Sequence, residues 1–402
     1  MVIAMKNFDY LVVGGGIVGM TVARYLALSG KSNIGILEKE SQLGCHSSGR
    51  NSGVLHSGIY YSSDSLKAKV CVSGSKMMQE YAFEHRIPIK KNGKLIIAPT
   101  EEQIPQVEVL YERAIRNGIT VERVDSKQIK EIEHEALTDF APALFSPNTA
   151  VIDTKAVLNQ IESEVAGKGV QIIKNREVVD VDVTGKFVRT NRERFGFGHL
   201  INCAGLHADR IAHRMGVGKK YRILPFKGVY RKLRPDVANR FKGSIYPTPD
   251  LRVPFLGVHI TRTVGDEVII GPTAMPAFGR ENYGIIKGWS FTESPAIAAS
   301  LASMFLRDSG GFRTLVLEEL GKYYFPNFIR AAQKLAPSLK AEHFIENRKV
   351  GLRAQLVDLE KMKLEMDFVI EDGPASTHIL NAVSPAFTAS FAFAKLVCDK
   401  IV

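Results

Sequence analysis

The chain has 402 residues, 45% hydrophobic and 24% charged, ordinary values for a globular protein of two or three domains at roughly 100 to 200 residues each. That composition excludes a disordered chain, a collagen and a small disulfide scaffold. Lysine and arginine exceed aspartate and glutamate by 11, so an anionic partner has to be considered.

No apolar run reaches the ~18 residues of a membrane-spanning helix. The stretch from Met1 to Asn7 reads as too short for a secretory leader, so a cytoplasmic protein is expected. Cys45, Cys71, Cys203 and Cys398 are widely spaced and form no metal-binding pattern; buried reduced thiols and no metal are expected.

The positive charge is concentrated. Thirteen Lys and Arg residues lie between Arg210 and Arg262 against two acids, Asp236 and Asp250, and the remainder of the chain is neutral. Such a segment directs a field at an anion, which could be a substrate, a phospholipid surface or a nucleic acid.

In chain order, Phe8–Val13 is a strand-length apolar run, followed by Gly14-Gly15-Gly16, a helix over Met20–Leu28 and a second buried strand at Asn33–Leu37. That is a βαβ unit. The stretch Gly44–Ser63 is too rich in serine and glycine for a helix; Leu66–Arg86 reads as helical and Lys94–Ala98 as a strand. Helices are predicted at Glu101–Asn117 and at Thr154–Ala166, the latter capped by Asp153. Strands follow at Val170–Ile173, Glu177–Val183 and His199–Cys203, and alternation from Ile223 to Ile270 predicts an antiparallel sheet. Ser294–Leu306 and Val316–Leu335 read as helices, the second broken near Pro326. Strands at Asp367–Ile370 and His378–Leu380, a loop and a final helix to Lys400 close the chain.

The fold class expected is α/β: a Rossmann-like nucleotide-binding domain interwoven with an α+β substrate domain built on an antiparallel sheet. The expected division gives 1–86, 150–220 and 345–402 to the nucleotide domain, and 87–149 and 221–344 to the substrate domain.

Gly14-x-Gly16-x-x-Gly19 sits between a strand and a helix, and Glu38 ends the next strand nineteen residues past Gly19. The glycines permit a tight turn, close approach of a pyrophosphate and helix–strand packing, while the helix N-terminus faces the phosphates. A carboxylate at Glu38 accepts from ribose hydroxyls and repels a 2′-phosphate, which argues against NADP. Between FAD and NAD, the stretch His46–Gly53 favours FAD, since it offers small residues, hydroxyl and amide donors and one arginine.

The motifs GGGIVG, LEKE, RNSGVLHSGIYY, CAG, PFKGVYRKL, PFLGVH, VGLRAQ and SPAFTAS occur in order along the chain. Together they resemble the L-2-hydroxyglutarate dehydrogenase/oxidase family, within the D-amino-acid-oxidase-like flavoproteins. The resemblance implies FAD, with the flavin between a nucleotide domain and a sheet-lined substrate domain. It implies that Gly14, Gly16 and Gly19 cradle the pyrophosphate and Glu38 holds the ribose. Ser48, Asn51 and Ser52 would line the flavin, and Val179 would touch adenine through its backbone. Ala204 and Gly205 would pass close to the FAD, and the loop from Ser384 through Thr388 to Ser390 would aim a helix N-terminus at the flavin. Arg353 matches an arginine that binds substrate carboxylate. His56 and His259 are the two candidates for the base, since hydride leaves C2 as a proton leaves the hydroxyl. A second cation, from Lys227 to Arg262, is expected to hold the distal carboxylate of a five-carbon acid.

The sequence departs from the family pattern at Arg50, Lys227, Val229, Thr273, Gly279 and Phe387, which leaves the acid's distal group open. The leading expectation is FAD-dependent oxidation of L-2-hydroxyglutarate or a similar small anionic 2-hydroxy acid, with oxygen or a quinone as acceptor. An amine or amino-acid oxidase of the same fold is the alternative. No aromatic pattern of RNA-binding type accompanies the basic stretch, so no nucleic-acid partner is expected. Two readings stay open for the apolar helix Ala296–Leu306: a buried helix, or, with the basic stretch, a peripheral contact with the inner face of a membrane.

Overall fold

Two sheets of opposite character organise the protein. The computed structural model describes residues 5–347 and 349–401, so Met1–Ala4 of the segment read above for a leader lie outside it. The chain divides into two compact units, one made of Met1–Arg50, Thr154–Pro225 and Arg353–Val402, the other of Asn51–Asp153 and Phe226–Leu352.

The first unit is built on continuous apolar runs rather than alternating ones. Lys6–Val13 pairs in parallel with Ile34–Leu37 on one side and Arg194–Asn202 on the other, and Ile34–Leu37 is buried along its whole length. Strands buried on both faces need helices on both sides. Helices Ile17–Leu28, Thr154–Gly167 and Ala386–Cys398 pack together, and Ile17–Leu28 lies against Lys6–Val13 and Ile34–Leu37. Ala386–Cys398 buries nearly every residue, as its Ala/Phe-rich sequence, apolar all round, requires. Arg194–Asn202 is longer than the predicted His199–Cys203: its first half pairs antiparallel with Phe187–Thr190, its second half in parallel with Ser376–Asn381.

The second unit carries an eight-stranded sheet in the order Phe344–Ile345, Arg231–Leu233, Val268–Gly271, His259–Arg262, Ser244–Pro247, Lys94–Ile97, Ala143–Ser146, Glu122–Val124. The antiparallel sheet predicted from Ile223 to Ile270 is present with two exceptions: Tyr221–Val229 pairs with Met275–Pro276 in a separate sheet, and Ser244–Pro247 lies parallel to Lys94–Ile97, a strand from far earlier in the chain that no hairpin could deliver. Side chains alternate between faces along each strand. Leu95, Ile97, Ile245, Ile260, Val268 and Ile270 pack under the helix Phe325–Gln333 and the residues after it. The opposite face presents Lys94, Ser244 and Thr261 in one row, with Ile96, Tyr246 and His259 two residues on.

The division between units falls earlier than expected. Residues 51–86, read above as part of the nucleotide domain, belong to the second unit. Val54–Leu55 pairs there with Ala150–Ile152 in a three-stranded sheet, and Ile59 and Tyr60 join a core with Leu110, Leu144 and Tyr246. The Ser/Gly-rich first part of this stretch, 51–63, has no hydrophobic period of its own, so only its pairing partners reveal where it folds. The other boundaries fall at Asp153, Pro225 and Leu352, where the predicted ones are 149, 220 and 344.

Among the described residues the cysteines form no disulfide; Cys71, Cys203 and Cys398 are buried and Cys45 is half-buried. Burial pushes the Cys71 and Cys398 thiols up to about 12, which makes them inert. No helix among the described residues is long and apolar enough to cross a membrane.

Candidate functional site

In the first unit the glycine loop is held by backbone convergence. The Gly14 N–H donates to Leu37 O at 2.8 Å and the Cys203 N–H to Val13 O at 2.9 Å, so three parallel strands end together. Packing alone explains two of the glycines. A Cβ on Gly14, at φ +110°, would lie 2.5 Å from Cys203 O, and one on Gly19 would lie 2.0 Å from Gly14 O. Gly16 differs: a Cβ there would meet only the Ser48 hydroxyl, at 3.1 Å. Its lack of a side chain is not demanded by the protein's own packing, which fits a position that a pyrophosphate approaches.

Glu38 is buried, and its carboxylate ties the loop together. Oε2 accepts from the Gly15 N–H at 2.8 Å and Oε1 from the Glu40 N–H at 2.9 Å. Each oxygen keeps a second lone pair with which to accept from a ribose hydroxyl. Ser48 Oγ accepts from the Ile17 N–H at 2.9 Å and so caps the helix Ile17–Leu28, whose first turn carries no acid. That end is suited to a phosphate.

Ala204 and Gly205 form the turn after Arg194–Asn202. The turn is braced by residues that carry no motif: buried Asn202 donates to Ala208 O at 2.7 Å and to His378 Nδ1 at 3.1 Å, and His378 Nε2 lies 3.0 Å from Ser376 Oγ. Burial pushes His378 down to about 4, so the ring is neutral and accepts from the asparagine. Val179 sits where the pairing of Val178–Asp182 with Phe187–Thr190 slips by a residue, a bulge that releases a backbone group from the ladder. Ser384 precedes Pro385 at the start of the last helix, and Thr388 is buried in its first turn. Arg353 is half-buried in the strand Val350–Asp358, at the first residue of its segment of this unit.

The second unit brings together residues widely separated in sequence. His259 Nδ1 lies 2.9 Å from Gly257 O, which makes Nδ1 the donor and Nε2 the proton-accepting nitrogen of the neutral ring. Its ring stacks on Tyr246 with centroids 3.9 Å apart. His56, buried just after Val54–Leu55, lies within the electrostatic reach of both His259 and Lys94. Burial, then the Lys94 charge, then His259 push its pKa down to about 3. Asn51 and Ser52 precede this segment, with Asn51 Oδ1 accepting from the Gly53 N–H at 2.8 Å. Sequence reading passed over Lys94 as one residue of a strand; the signal available was a lysine opening an otherwise apolar run, KLII.

The two cations expected to clamp a distal carboxylate are committed to the fold. Lys227 is buried, its Nζ donating to Asn282 Oδ1 at 3.1 Å and Gly284 O at 2.5 Å. Arg262 donates to Asp266 at 3.0 Å and to Phe241 O at 2.6 Å. Three of the departures from the family pattern form one group: Thr273 Oγ1 accepts from the Val229 N–H at 3.1 Å and approaches Lys227 O at 3.4 Å. The basic stretch as a whole is divided between the two units. Arg214, Lys232, Arg234, Arg252 and Arg262 are each paired with an aspartate or glutamate.

The parallel sheet, glycine loop and second antiparallel sheet are those of a flavin-dependent oxidoreductase. The profile of the FAD dependent oxidoreductase family, DAO, matches residues 9–400, and the chain belongs to that family; its cofactor is FAD. It is 37% identical to the mitochondrial L-2-hydroxyglutarate dehydrogenase of Nematostella vectensis over 98% of this chain and 90% of that one. It is 33% identical to the L-2-hydroxyglutarate dehydrogenase of Indibacter alkaliphilus over 98% of each. Among solved structures, the FAD-bound L-α-glycerophosphate oxidase of Mycoplasma pneumoniae matches with a TM-score of 0.76 at 22% identity, covering 97% of this chain and 94% of that one. Glycine oxidase from Geobacillus kaustophilus matches with a TM-score of 0.73 at 17% identity, covering 98% and 94%. These last two likenesses concern the fold.

Proposed function

We propose that the protein oxidises L-2-hydroxyglutarate, or a closely similar 2-hydroxy acid, to the corresponding 2-oxo acid. The observation that carries this reading is the polar face of the second unit, where two buried histidines and a buried lysine lie within electrostatic reach of one another. Removing a hydroxyl proton from an anionic alcohol calls for that combination of acceptor and cation. The similarity to dehydrogenases of L-2-hydroxyglutarate over nearly the whole chain supports that acid as the substrate.

Bound FAD supplies the acceptor for the hydride at C2. Gly14, Gly16, Gly19, Glu38, Ser48, Asn51, Ser52, Val179, Ala204, Gly205, Ser384 and Thr388 are the residues we assign to holding it. Arg353 takes the C1 carboxylate through its planar fork, which sets both distance and angle. His259 Nε2 takes the hydroxyl proton, with His56 beside it. The test is anaerobic flavin bleaching by a panel of L- and D-2-hydroxy acids and the matching amines. Bleaching by L-2-hydroxyglutarate ahead of its D-enantiomer and of glutamate supports the reading; preference for the amine replaces it with an amino-acid oxidase.

We further propose that the electron acceptor is oxygen or a quinone reached at a membrane surface. Ile285, Ile286 and Phe291 are 86%, 70% and 85% exposed, beside exposed Lys287. The helix Ser294–Arg307 buries only the stripe Ile297, Ser300 and Met304, leaving Leu306 exposed. Apolar side chains flanked by cations suit an anionic lipid surface. Co-sedimentation with anionic vesicles at low salt supports this contact, and its absence leaves oxygen as the acceptor.

A further inference from the structure

Lys94 is 1% exposed, and its ammonium has no hydrogen-bond partner among the described residues. A buried cation left unpaired is among the most costly arrangements a fold can hold. Nζ lies 4.7 and 5.3 Å from the ring centroids of Tyr60 and Tyr246. Aromatic faces attract a cation but satisfy none of its three N–H groups.

The strand register shows what surrounds it. Lys94 stands opposite Ser146 on one side and Ser244 on the other, and Ser244 stands opposite Thr261. Leu144, Ile96, Tyr246 and His259 flank this row, and none of these residues carries a carboxylate. Ser244 Oγ and Tyr60 Oη, both buried, are likewise without a partner. An ammonium and two hydroxyls, all able to donate, are left without a partner in one region, and the carboxylate that would satisfy the ammonium is not among them.

We propose that Lys94 is a substrate-binding residue that holds the distal carboxylate of the dicarboxylate, with the hydroxyls of Ser244 and Tyr60 completing its oxygens. This rests on the 2-hydroxy acid reading above. It takes the place expected of Lys227 and Arg262, whose donors are committed elsewhere. A carboxylate fits because its two oxygens accept from several donors at once.

The pair also acts on the neighbouring imidazole. The Lys94 charge is one cause that holds His56 far below the ordinary histidine range. A carboxylate on Lys94 cancels that field, so His56 becomes a better proton acceptor when the dianion is in place.

The experiment uses FAD-loaded enzyme and Lys94→Met, which keeps an unbranched apolar side chain and removes the charge. Binding of 2-oxoglutarate and of pyruvate is read from the flavin absorbance. The dissociation constant for 2-oxoglutarate should rise about a hundredfold, and that for pyruvate by less than about threefold. KM for L-2-hydroxyglutarate should rise with it, kcat changing less. Wild-type affinity for 2-oxoglutarate should fall as pH rises above about 8, where burial has moved the Lys94 ammonium, and the variant should lose that dependence. Should Lys94→Met lose its FAD, Lys94→Gln gives the same reading.

Unchanged 2-oxoglutarate binding in a variant that retains FAD overturns the proposal. So does an equal loss for both acids accompanied by a lower Tm, the mark of a structural lysine. A wild-type enzyme that neither oxidises L-2-hydroxyglutarate nor binds 2-oxoglutarate overturns the parent reading as well. Wild-type turnover matched by the variant removes Lys94 alone.

Discussion

The two polar centres treat their charges in opposite ways. Around the glycine loop the carboxylate of Glu38 and the hydroxyl of Ser48 are bonded to backbone N–H groups of the loop and the helix start. On the sheet face of the second unit, Lys94 is buried with no hydrogen-bond partner among the described residues. The first arrangement is finished before any ligand arrives and suits a resident cofactor. The second leaves an ammonium unsatisfied, which suits the proposed role of holding a substrate anion that must come and go. A bonded charge gives rigidity; an unbonded one gives affinity for what completes it.

Four measurements would break or sharpen this contrast. The largest effect is expected at Gly16. Gly16→Val should weaken FAD binding by about a thousandfold or more, equivalent to roughly 4 kcal/mol, in a protein that still folds. Its new Cβ meets only Ser48 Oγ at 3.1 Å. Retained flavin, measured by absorbance after gel filtration, would place the pyrophosphate elsewhere.

Next comes Arg353. Arg353→Ala should cost roughly 3 kcal/mol in kcat/KM for L-2-hydroxyglutarate, through loss of a charge-assisted pair. Arg353→Lys should recover only part of that, since the ammonium lacks the planar fork. Full activity and unaltered L-preference in both variants would remove this arginine from the site.

The histidines follow. His259→Gln should slow flavin reduction by roughly a hundredfold with FAD still bound, and His56→Gln by less. Wild-type reduction rates in both would mean that neither takes the proton.

The smallest effect is on stability and distinguishes the incomplete centre most directly. Lys94 is held at about 8 by burial, below its ordinary 10.5. Its folded form therefore binds its proton less readily than the unfolded chain does. The penalty is absent above about pH 10.5 and grows as pH falls toward 8. At neutral pH and without ligand, Lys94→Met should raise unfolding stability by about 1–2 kcal/mol, and 2-oxoglutarate should stabilise the wild type more than the variant. His56 adds to acid sensitivity in the same sense. Its burial is fully tolerated above about 6.5, and stability is lost as pH falls toward 3. A Tm that is flat between pH 7 and 4 would contradict that burial.

The contrast also explains what could be read from the chain alone. The nucleotide half is local. Phe8–Val13, the three glycines and Glu38 lie within thirty-one consecutive residues, and each has a role set by strand, turn and helix geometry. Those residues and the parallel sheet were therefore legible, as was the helix break near Pro326, which separates Phe312–Gly321 from Phe325–Gln333. The substrate half is non-local. Lys94, His56 and His259 come from three segments, and the parallel pairing of Lys94–Ile97 with Ser244–Pro247 brings two of those segments into one sheet. No period or motif encodes that pairing, and the Ser/Gly-rich stretch that carries His56 has none of its own.

The sequence by itself determined the parallel-sheet fold of the nucleotide half, its FAD cofactor and the alternation of the second sheet. Only the tertiary structure decided that 51–86 folds with the second unit and that Lys227 and Arg262 are occupied while Lys94 is not. The physical reason is that charge compensation is a property of neighbours in space. A lysine's partners are chosen by strand register, and strand register across 150 residues of chain is settled by packing.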